Sequence, residues 1–399
     1  MSVKITSDMD KNQVLRDLAD LIRENESEII RYNQRDMDAA KSIDDTLQDR
    51  LKVDAKKVQG MVSAVENIIS MEDPVGKVLS HYQHPNGMVV ENRVVPMGKI
   101  LIIYESRPDV TIEAAITAFK AGNRILLKGG KEARRTNLFL VELWHRALDK
   151  NDVPTDWVTY LDMGREEMQH LIKNNTHKAD IIIPRGGEGL IQFIRTHSSV
   201  PLIISGRGNN FVYIHADADF DMATQIVLNG KSRLSVCNAT DKVLINAAMP
   251  DLDARLQQLI DELKEAGLTV LADARIASLR KNVKLIESDD IFYEEFLSPK
   301  ILLALVDTPD EAIGMINEYS GGHTAVIVSA DNELAAKFQL EVDCAAVGHN
   351  VSSRFTDGGE FGVGAEIAIS TQKLHFRGPL GSSELVTNKW FVNGNGQIR

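Results

Sequence analysis

The stretch KILIIYESRPDVTIEAAITAFKAGNRILLKGG (residues 99–130) decides the fold class. Its apolar run at 100–104 is short and rich in β-branched residues, which is typical of a buried strand. Residues 110–121 follow as a helical segment, and 124–128 form a second apolar run before Gly129-Gly130. A strand, a helix and a second strand in this order predict a βαβ unit, in which the two strands are parallel.

The same alternation of apolar runs and helical segments extends beyond this unit. It continues to residue 214 and begins again after residue 220. This pattern predicts an α/β fold with two doubly wound domains, each built on a parallel sheet that helices cover. Amphipathic helices are expected at 8–70, and a β-hairpin arm with an Asn-Gly turn is expected at 81–97.

Composition excludes several classes of function. The 399 residues carry a net charge of −12, with no block of basic side chains, so nucleic acid and membranes are not expected as partners. The two cysteines, Cys237 and Cys344, indicate a reducing compartment rather than a disulfide framework. No apolar run is as long as a membrane span, and residues 1–13 lack the apolar core of a signal peptide. We therefore expect a cytoplasmic protein.

Cys237 lies in the segment NGKSRLSVCNATDK (229–242), after a predicted helix at 220–228 and before a predicted strand. A connection of this kind can present a side chain to a ligand. The cations Lys231 and Arg233 lie close by in sequence and favour the thiolate, the form that attacks a carbonyl. Free cysteine is also among the most often buried residues, so a role in the core is the alternative.

Two glycine turns follow predicted strands: Gly129-Gly130-Lys131 and Arg185-Gly186-Gly187. Glycines at the carboxyl ends of parallel strands let a ligand approach the main chain and the helix N-termini beyond. Either turn alone is also explained by tight-turn geometry. Lys128, Lys131 and Arg185 add positive charge, so both turns together predict an anionic dinucleotide. A carboxylate at position 131 would repel a ribose 2′-phosphate, but the residue here is the cation Lys131. NADPH is therefore favoured over NADH.

Several common motifs are absent. No G-x-G-x-x-G follows the first strand of the predicted sheet, and NGKS at 229–232 is not a P-loop because residue 225 is Gln. The sequence also lacks an HExxH motif and clustered Cys/His spacing, so no metal site is expected.

Five segments together carry a resemblance to a known family. They resemble the gamma-glutamyl phosphate reductases, also called glutamate-5-semialdehyde dehydrogenases, of the aldehyde dehydrogenase superfamily. The segments are VPMGKILIIYESRPDVT (95–111), LLKGGKEA (126–133), IIPRGG (182–187), KSRLSVCNAT (231–240) and RFTDGGEFGVGAEIAISTQKLHFRGP (354–379). The resemblance implies an aldehyde dehydrogenase-like fold whose hairpin arm and C-terminal strands join subunits into a dimer or a tetramer.

The resemblance also implies roles for individual residues. Cys237 falls at the catalytic nucleophile. Lys128 falls where the superfamily lysine reaches the adenosine ribose, and Glu295 falls where a glutamate holds the nicotinamide ribose. The expected parts are an NADPH-binding domain at 1–228 interrupted by the arm at 81–97, a catalytic domain at 229–353, a Gly-rich substrate loop at 354–382 and an oligomerisation tail at 383–399.

The activity implied is the NADPH-dependent reduction of L-glutamyl 5-phosphate to L-glutamate 5-semialdehyde, the second step of proline biosynthesis from glutamate. Cys237 would form a thioester and release phosphate. Its own main-chain N–H, with Ser106 as a weaker candidate, would stabilise the oxyanion. Arg107, Arg354 and Arg377 are candidates for holding the phosphate and the carboxylate of the substrate, although each is equally explained by a structural ion pair. A transient contact with glutamate 5-kinase is a further possibility.

Two alternatives stay open at this point. One is an NADP-dependent aldehyde dehydrogenase that oxidises its substrate to the acid, which requires a general base. The segment at 203–210, which corresponds to the superfamily's general-base motif, contains no carboxylate. The other alternative is a catalytically silent relative that binds nucleotide. The chain also departs from the common family pattern in SGRGNNFVY (205–213) and in GHTAV (322–326).

Overall fold

A computed structural model describes residues 9–40, 45–234 and 236–399. The expectation for residues 1–13 falls largely outside the described residues, as does Ser235 of the KSRLSVCNAT motif. The chain forms two compact units. The first contains residues up to 204 together with 362–368 and 379–399, and the second contains 205–361 together with 369–378.

The first unit combines N-terminal helices, an α/β sheet and an antiparallel arm. Its helices are α1 (Lys11–Glu24), α2 (Glu26–Ala39), α3 (Asp45–Leu51), α4 (Ala55–Ser70), α5 (Pro108–Lys120), α6 (Arg134–Lys150), α7 (Arg165–Asn174) and α8 (Glu188–His197). Its strands are β1 (Val78–Gln83), β2 (Val89–Pro96), β3 (Lys99–Tyr104), β4 (Arg124–Lys128), β5 (Val158–Tyr160), β6 (Ile181–Arg185) and, near the C-terminus, β16 (Val386–Asn393).

The parallel sheet of the first unit has the strand order β5-β4-β3-β6. Strand β3 is central, and its Ile100 pairs with Ile125 of β4 and Ile181 of β6. Leu101 and Ile103 point to a core that α7 and α8 also line, as expected for a strand with both faces covered. Because β4, β3 and β6 are parallel, the turns that follow them lie at the same edge of the sheet. The predicted βαβ unit is confirmed.

The arm is an antiparallel sheet with the order β1-β2-β16. Strand β2 pairs with β1 on one side and with β16 on the other, so the predicted hairpin and the C-terminal strand form one structure. Its large apolar side chains include Tyr82 and Trp390, which are 55% and 58% exposed. Strand β1 begins at Val78, slightly before the predicted start of the hairpin.

The second unit is an α/β sheet with helices on both faces. Its helices are α9 (Phe220–Gly230), α10 (Leu252–Glu265), α11 (Ala274–Leu279), α12 (Pro309–Tyr319) and α13 (Asn332–Glu341). Its strands are β7 (Asn210–Ile214), β8 (Thr240–Asn246), β9 (Thr269–Ala272), β10 (Lys284–Leu285), β11 (Lys300–Val306), β12 (Thr324–Val328) and β13 (Ala346–His349), and two short strands follow, β14 (Ile369–Ser370) and β15 (Gly378–Pro379). Among the described residues, no helix is both long and apolar enough to cross a membrane.

The second sheet has the order β10-β9-β11-β8-β7-β12-β13, and its strand pairs are parallel. Alternate residues of each strand enter two separate cores because successive side chains point to opposite faces. Val212 of β7 packs in a core with residues of α9, α10 and α11. Phe211, its neighbour, packs in a core with residues of α12 and α13. This arrangement confirms the doubly wound fold expected from the sequence.

The compact units divide after Ile204, ahead of the boundary at 228/229 that the sequence suggested. The reason is that β7 pairs with β8 and β12, so it belongs to the second sheet. The alternation predicted to continue to residue 214 is interrupted at 200–204, where Leu202 makes an isolated bridge to Ile182 and no regular strand forms. The functional labels given to the expected domains remain predictions.

His323, just before β12, is a buried histidine that makes stability depend on pH. It is fully buried, and its Nδ1 lies 2.8 Å from Thr324 Oγ1. Within the described part of the chain, its Nε2 has no hydrogen-bond partner. Burial lowers the pKa of His323 to about 4, because a charged imidazole loses its hydration there.

We therefore expect the unfolding free energy to fall as the pH drops from 6.5 to about 4. In this window the unfolded chain binds a proton that the folded chain does not, which costs up to about 3 kcal/mol in all. Denaturant unfolding at pH 7 and pH 5 checks this. His323→Gln should lose less stability between the two pH values than the wild type. The exposed His170→Gln is the control, and an equal loss in His323→Gln would refute the assignment.

Candidate active site

Cys237 lies between α9 and β8, and its side chain is half-exposed. The buried Asn210 holds the main chain around it. Asn210 Nδ2 donates to the carbonyl oxygens of Cys237 and Ala239, both at 2.7 Å, and its Oδ1 accepts from Thr324 N at 3.1 Å. One amide therefore fixes the cysteine connection to β7, where Asn210 lies, and to the start of β12.

Gly208 brings a second segment against Cys237. A Cβ atom added at Gly208 would lie 2.0 Å from the Cys237 carbonyl oxygen and 2.6 Å from its Cα, so glycine is required for this approach. The N–H of Gly208 donates to Glu295 Oε1 at 2.9 Å. The structure thus brings Glu295, one of the residues predicted to bind cofactor, into contact with the segment that packs on Cys237.

Glu295 is half-buried, and burial raises the pKa of its carboxyl group. The hydrogen bond from Gly208 and the charges of Arg207 and Lys242 oppose that rise. A carboxylate therefore lies near the cysteine connection although the segment at 203–210 contains none. The search for a general base was limited to residues 203–210, so it did not identify Glu295 as a carboxylate near Cys237.

Lys231 differs from its sequence expectation. Its side chain is fully buried and its Nζ lies 2.5 Å from Asp241 Oδ1. Asp241 Oδ2 also accepts from Phe296 N at 2.8 Å. Because Asp241 compensates its charge inside the core, Lys231 is not a free cation beside Cys237, and that prediction was wrong.

Lys242, the next residue after Asp241, is also buried. Its Nζ donates to Asn209 Oδ1 at 2.6 Å and to the carbonyl oxygen of Glu294, and it lies 3.9 Å from the centre of the Phe296 ring. Burial lowers the pKa of Lys242 to about 8. These contacts tie β8 to the segments on both sides of the cysteine connection.

Arg354 is the predicted substrate arginine that the structure places beside Cys237. Its guanidinium donates to Asn238 Oδ1, and Asn238 Nδ2 donates to the carbonyl oxygens of Arg354 and Thr356, both at 3.1 Å. Burial and then the charge of Arg233 lower the pKa of Arg354, while Asp357 and Cys237 oppose the change. The charges of Arg233 and of Cys237 therefore both act on Arg354.

The other two predicted arginines have different surroundings. Arg377 donates to Asp343 through Oδ1 at 2.8 Å and through its carbonyl oxygen at 3.0 Å, so it forms an ion pair within the second unit. Arg107 lies in the first unit at the N-terminus of α5, where it contacts Asp109 at 3.0 Å. Their roles toward substrate remain predictions. The same holds for Ser106, which is buried in the first unit and donates to Glu132 Oε2 at 3.4 Å.

The turn after β4 leaves no room for side chains. A Cβ atom at Gly129 would lie 2.2 Å from Asn137 Nδ2, and one at Gly130 would lie 2.3 Å from Glu132 Oε2. Lys128 donates to the Gly129 carbonyl oxygen at 2.8 Å, and burial lowers the pKa of its amine. Lys131 is exposed.

The turn after β6 contacts a carboxylate that the sequence did not predict at this site. Glu105 Oε1 accepts from Gly187 N at 2.8 Å and would lie 2.9 Å from a Cβ atom at Gly186. The guanidinium of Arg185 donates to the Ile367 carbonyl oxygen. Glu105 directly follows β3, the strand between β4 and β6, and that position was the signal that could have revealed it.

The residues at this sheet edge fit a nucleotide cofactor through its sugar hydroxyls. The carboxylates of Glu105 and Glu132 accept hydrogen bonds, and the amine of Lys128 donates them, which suits a ribose. A phosphate at the Gly187 N–H would instead compete with Glu105. The sequence prediction counted only the cations at this sheet edge, whereas the structure also places two carboxylates there.

The chain is similar to known proteins over nearly its full length. The model of the aldehyde dehydrogenase family matches residues 2–278 and 253–364. The chain is 41% identical to a gamma-glutamyl phosphate reductase of Idiomarina loihiensis, over 100% of this chain and 95% of that protein. It is 42% identical to one of a Nitratiruptor species, over 98% and 94%.

Solved structures agree with the sequence relatives. The crystal structure of gamma-glutamyl phosphate reductase from Thermotoga maritima matches with a TM-score of 0.91 and 36% identity, over 98% of this chain and 94% of that one. An acetylating aldehyde dehydrogenase from Geobacillus thermoglucosidasius matches with a TM-score of 0.71 over 98% and 92% of the chains. At 17% identity, the latter shows a shared fold.

The buried pair of Lys231 and Asp241 leads to a test of stability. Asp241→Ala leaves the Lys231 charge buried without its partner, so we expect a loss of about 3–5 kcal/mol in unfolding free energy. Adding Lys231→Met should restore part of that loss. Asp261→Ala, an exposed site on α10, is the matched control. Denaturant unfolding measures all variants, and a loss below about 1 kcal/mol in Asp241→Ala would contradict the role of the pair.

Proposed function

The chain belongs to the aldehyde dehydrogenase family and, within it, to the gamma-glutamyl phosphate reductases, and on this premise we propose that it reduces L-glutamyl 5-phosphate to L-glutamate 5-semialdehyde with NADPH and releases phosphate. The product would enter proline biosynthesis from glutamate. The observation that carries the proposal is a half-exposed cysteine in a fixed connection, with Arg233 and Arg354 as neighbouring cations, in a chain with these relatives.

Cys237 is proposed as the nucleophile. Its thiolate attacks the acyl carbon, an S–C bond forms, the C–O bond to the phosphoryl group breaks, and phosphate leaves with the electron pair. The main-chain N–H of Cys237 and the hydroxyl of Ser106 are the proposed donors to the oxyanion. NADPH, when bound, supplies the hydride that reduces the resulting thioester.

The cofactor site is proposed at the sheet edge of the first unit. Lys128, Gly129 and Gly130 would receive the adenosine ribose, and the exposed Lys131 would favour a 2′-phosphate and hence NADPH. Arg185, Gly186 and Gly187 would contribute the second turn. Glu295, in the second unit, remains the proposed ligand of the nicotinamide ribose.

Proposed substrate contacts rest on the arginines. Arg354 has the strongest support because it is bonded to Asn238, next to Cys237. Arg377 and Arg107 stay as candidates, each with an acidic partner already in contact.

Hydrolytic oxidation of an aldehyde is the second candidate function. The half-buried Glu295 favours it, since a carboxylate with a raised pKa can serve as a general base. Against it, Glu295 Oε1 already accepts the N–H of Gly208. A dependence on phosphate separates the two reactions, because hydrolysis consumes water instead.

Replacement of the nucleophile tests the mechanism. We expect Cys237→Ser to lower the rate about a thousandfold or more, because an alcohol is a far weaker nucleophile than a thiolate. The assay is the reverse reaction, in which glutamate 5-semialdehyde, NADP and inorganic phosphate yield NADPH. Cys344→Ser, at the buried cysteine, is the control and should stay near the wild-type rate. Turnover of the wild type without phosphate would favour hydrolysis, and none in either mixture would favour the silent relative.

The arm is the proposed contact between subunits of a homodimer or homotetramer in the cytoplasm. Its exposed apolar side chains include Val78, Leu79, Tyr82, Trp390 and Val392. Such side chains lose unfavourable contact with water when a second copy covers them. We also propose a transient contact with glutamate 5-kinase, which would protect the unstable acyl phosphate.

A charge on the arm should weaken assembly. We expect Trp390→Glu combined with Tyr82→Glu to lower the molar mass in light scattering after size-exclusion chromatography, because each places a carboxylate where apolar surface would be covered. Leu340→Glu on α13, at a position that is 86% exposed, is the control and should leave the mass unchanged. An unchanged mass in the arm variant would rule out the arm as the contact.

A further inference from the structure

Arg233 is an uncommitted cation in the connection that carries Cys237. It lies between α9 and Cys237, and it is exposed. Within residues 9–40, 45–234 and 236–399, its guanidinium makes no hydrogen bond and no ion pair. Lys231, two residues earlier, is by contrast fully compensated by Asp241. The positive charge of this connection is therefore concentrated at Arg233.

Arg354 places a second cation beside the same connection. The hydrogen bonds between Arg354 and Asn238 run in both directions, and Ser353 Oγ donates to the Asn238 carbonyl oxygen at 2.7 Å. These contacts fix Arg354 next to the residue that follows Cys237. The charges that act on Arg354 are those of Arg233, Asp357 and Cys237.

Two neighbouring guanidinium groups repel each other, and the partial burial of Arg354 adds to the cost. Asp357 and Cys237 offset part of this cost, and an anion bound to both guanidinium groups would offset more of it. Guanidinium groups bind phosphate with paired, charge-assisted hydrogen bonds, which suits an anion with several oxygens.

We propose that Arg233 acts with Arg354 to hold the phosphoryl group of the acyl phosphate while Cys237 displaces it. The inference rests on the proposed function and adds a residue, Arg233, and a division of the substrate between groups. When the S–C bond forms and the C–O bond breaks, the electron pair leaves with the phosphate, and the two arginines stabilise its growing negative charge.

The phosphoryl group, rather than the carboxylate of the substrate, is the assigned ligand. A single oxygen joins the phosphorus to the carbon that Cys237 attacks, so the phosphoryl oxygens must lie close to the sulfur. The α-carboxylate is separated from that carbon by the rest of the glutamyl chain. Arg354, fixed beside Cys237 through Asn238, is placed for the nearer of the two anions.

The reverse reaction separates these two anions, because phosphate and glutamate 5-semialdehyde are added independently and only the semialdehyde carries the carboxylate. We expect Arg233→Ala to raise the KM for inorganic phosphate about 10- to 100-fold, the loss of one charge-assisted contact. The KM for the semialdehyde should stay within about twofold. The KM of Arg233→Lys for phosphate should lie between those of the wild type and Arg233→Ala. Lysine keeps the positive charge but lacks the paired N–H donors of the guanidinium group.

Arg275→Ala is the matched control. It removes the same charge from an exposed ion pair with Asp307 in the same unit, so it corrects for the change in net charge. Its KM for phosphate should equal that of the wild type.

Protection of the thiol gives a second readout that does not depend on turnover. Inorganic phosphate should slow the alkylation of Cys237 by iodoacetamide in the wild type and in Arg275→Ala, and it should have little effect in Arg233→Ala. Mass spectrometry of the cysteine peptide measures the rate.

Each outcome decides between the assignments. A raised KM for the semialdehyde with an unchanged KM for phosphate would overturn the inference in favour of carboxylate binding. No change in either KM and equal protection in Arg233→Ala would overturn it in favour of a solvated surface arginine. If the wild type shows no phosphate-dependent turnover, the proposed function fails, and phosphate protection of Cys237 then decides by itself whether Arg233 binds phosphate.

Discussion

The hydrogen bonds of the Asn210 side chain are the interaction on which the geometry of the candidate site depends. Its amide satisfies the carbonyl oxygens of Cys237 and Ala239 and the N–H of Thr324, which belong to different parts of the second unit. An apolar residue in its place would leave these buried main-chain groups unpaired, at about 1–3 kcal/mol each. The position of the thiol is thus set by a residue on β7 and not by the connection that carries it. Gly208 completes the constraint because its missing side chain allows the close approach to Cys237.

Buried charges beneath the connection determine which cations reach the thiol. Lys231 and Asp241 compensate each other, and Asp241 uses its second oxygen for the N–H of Phe296, so the pair is both neutral and hydrogen-bonded. Burial lowers the pKa of Lys242 to about 8, although its amine donates to neutral oxygens and lies against the face of an aromatic ring. The core therefore neutralises or weakens the lysine charges. The cation on which the charge of Cys237 acts is Arg354, and an arginine keeps its charge under partial burial.

The sequence was sufficient for features that depend on local pattern. The period of apolar residues predicted the βαβ unit at 99–130, both parallel sheets and the position of Cys237 between a helix and a strand. It could not assign β7 to the second sheet, because a strand of that type pairs equally well in either domain until its neighbours are known. Nor could it find the partner of Lys231 or the contact of Glu105 with Gly187, since both join residues from separate elements. Side-chain partners of this kind are set by tertiary structure, and local sequence carries no signal for them beyond position at a strand end.

The distribution of charge changes what each region of the chain is suited to bind. At the turns of the first unit, Lys128 and Arg185 already contact carbonyl oxygens, and the carboxylates of Glu105 and Glu132 face the glycines. Acceptors of this kind suit sugar hydroxyls better than a phosphate, which a carboxylate repels. Near Cys237, by contrast, the charge of Arg233 acts on Arg354, and Asp357 and Cys237 oppose its effect. The predicted cations of the glycine turns therefore lie beside carboxylates, whereas Arg354 is bonded to the uncharged Asn238 next to Cys237. This difference supports the proposal that the phosphoryl group binds beside the cysteine.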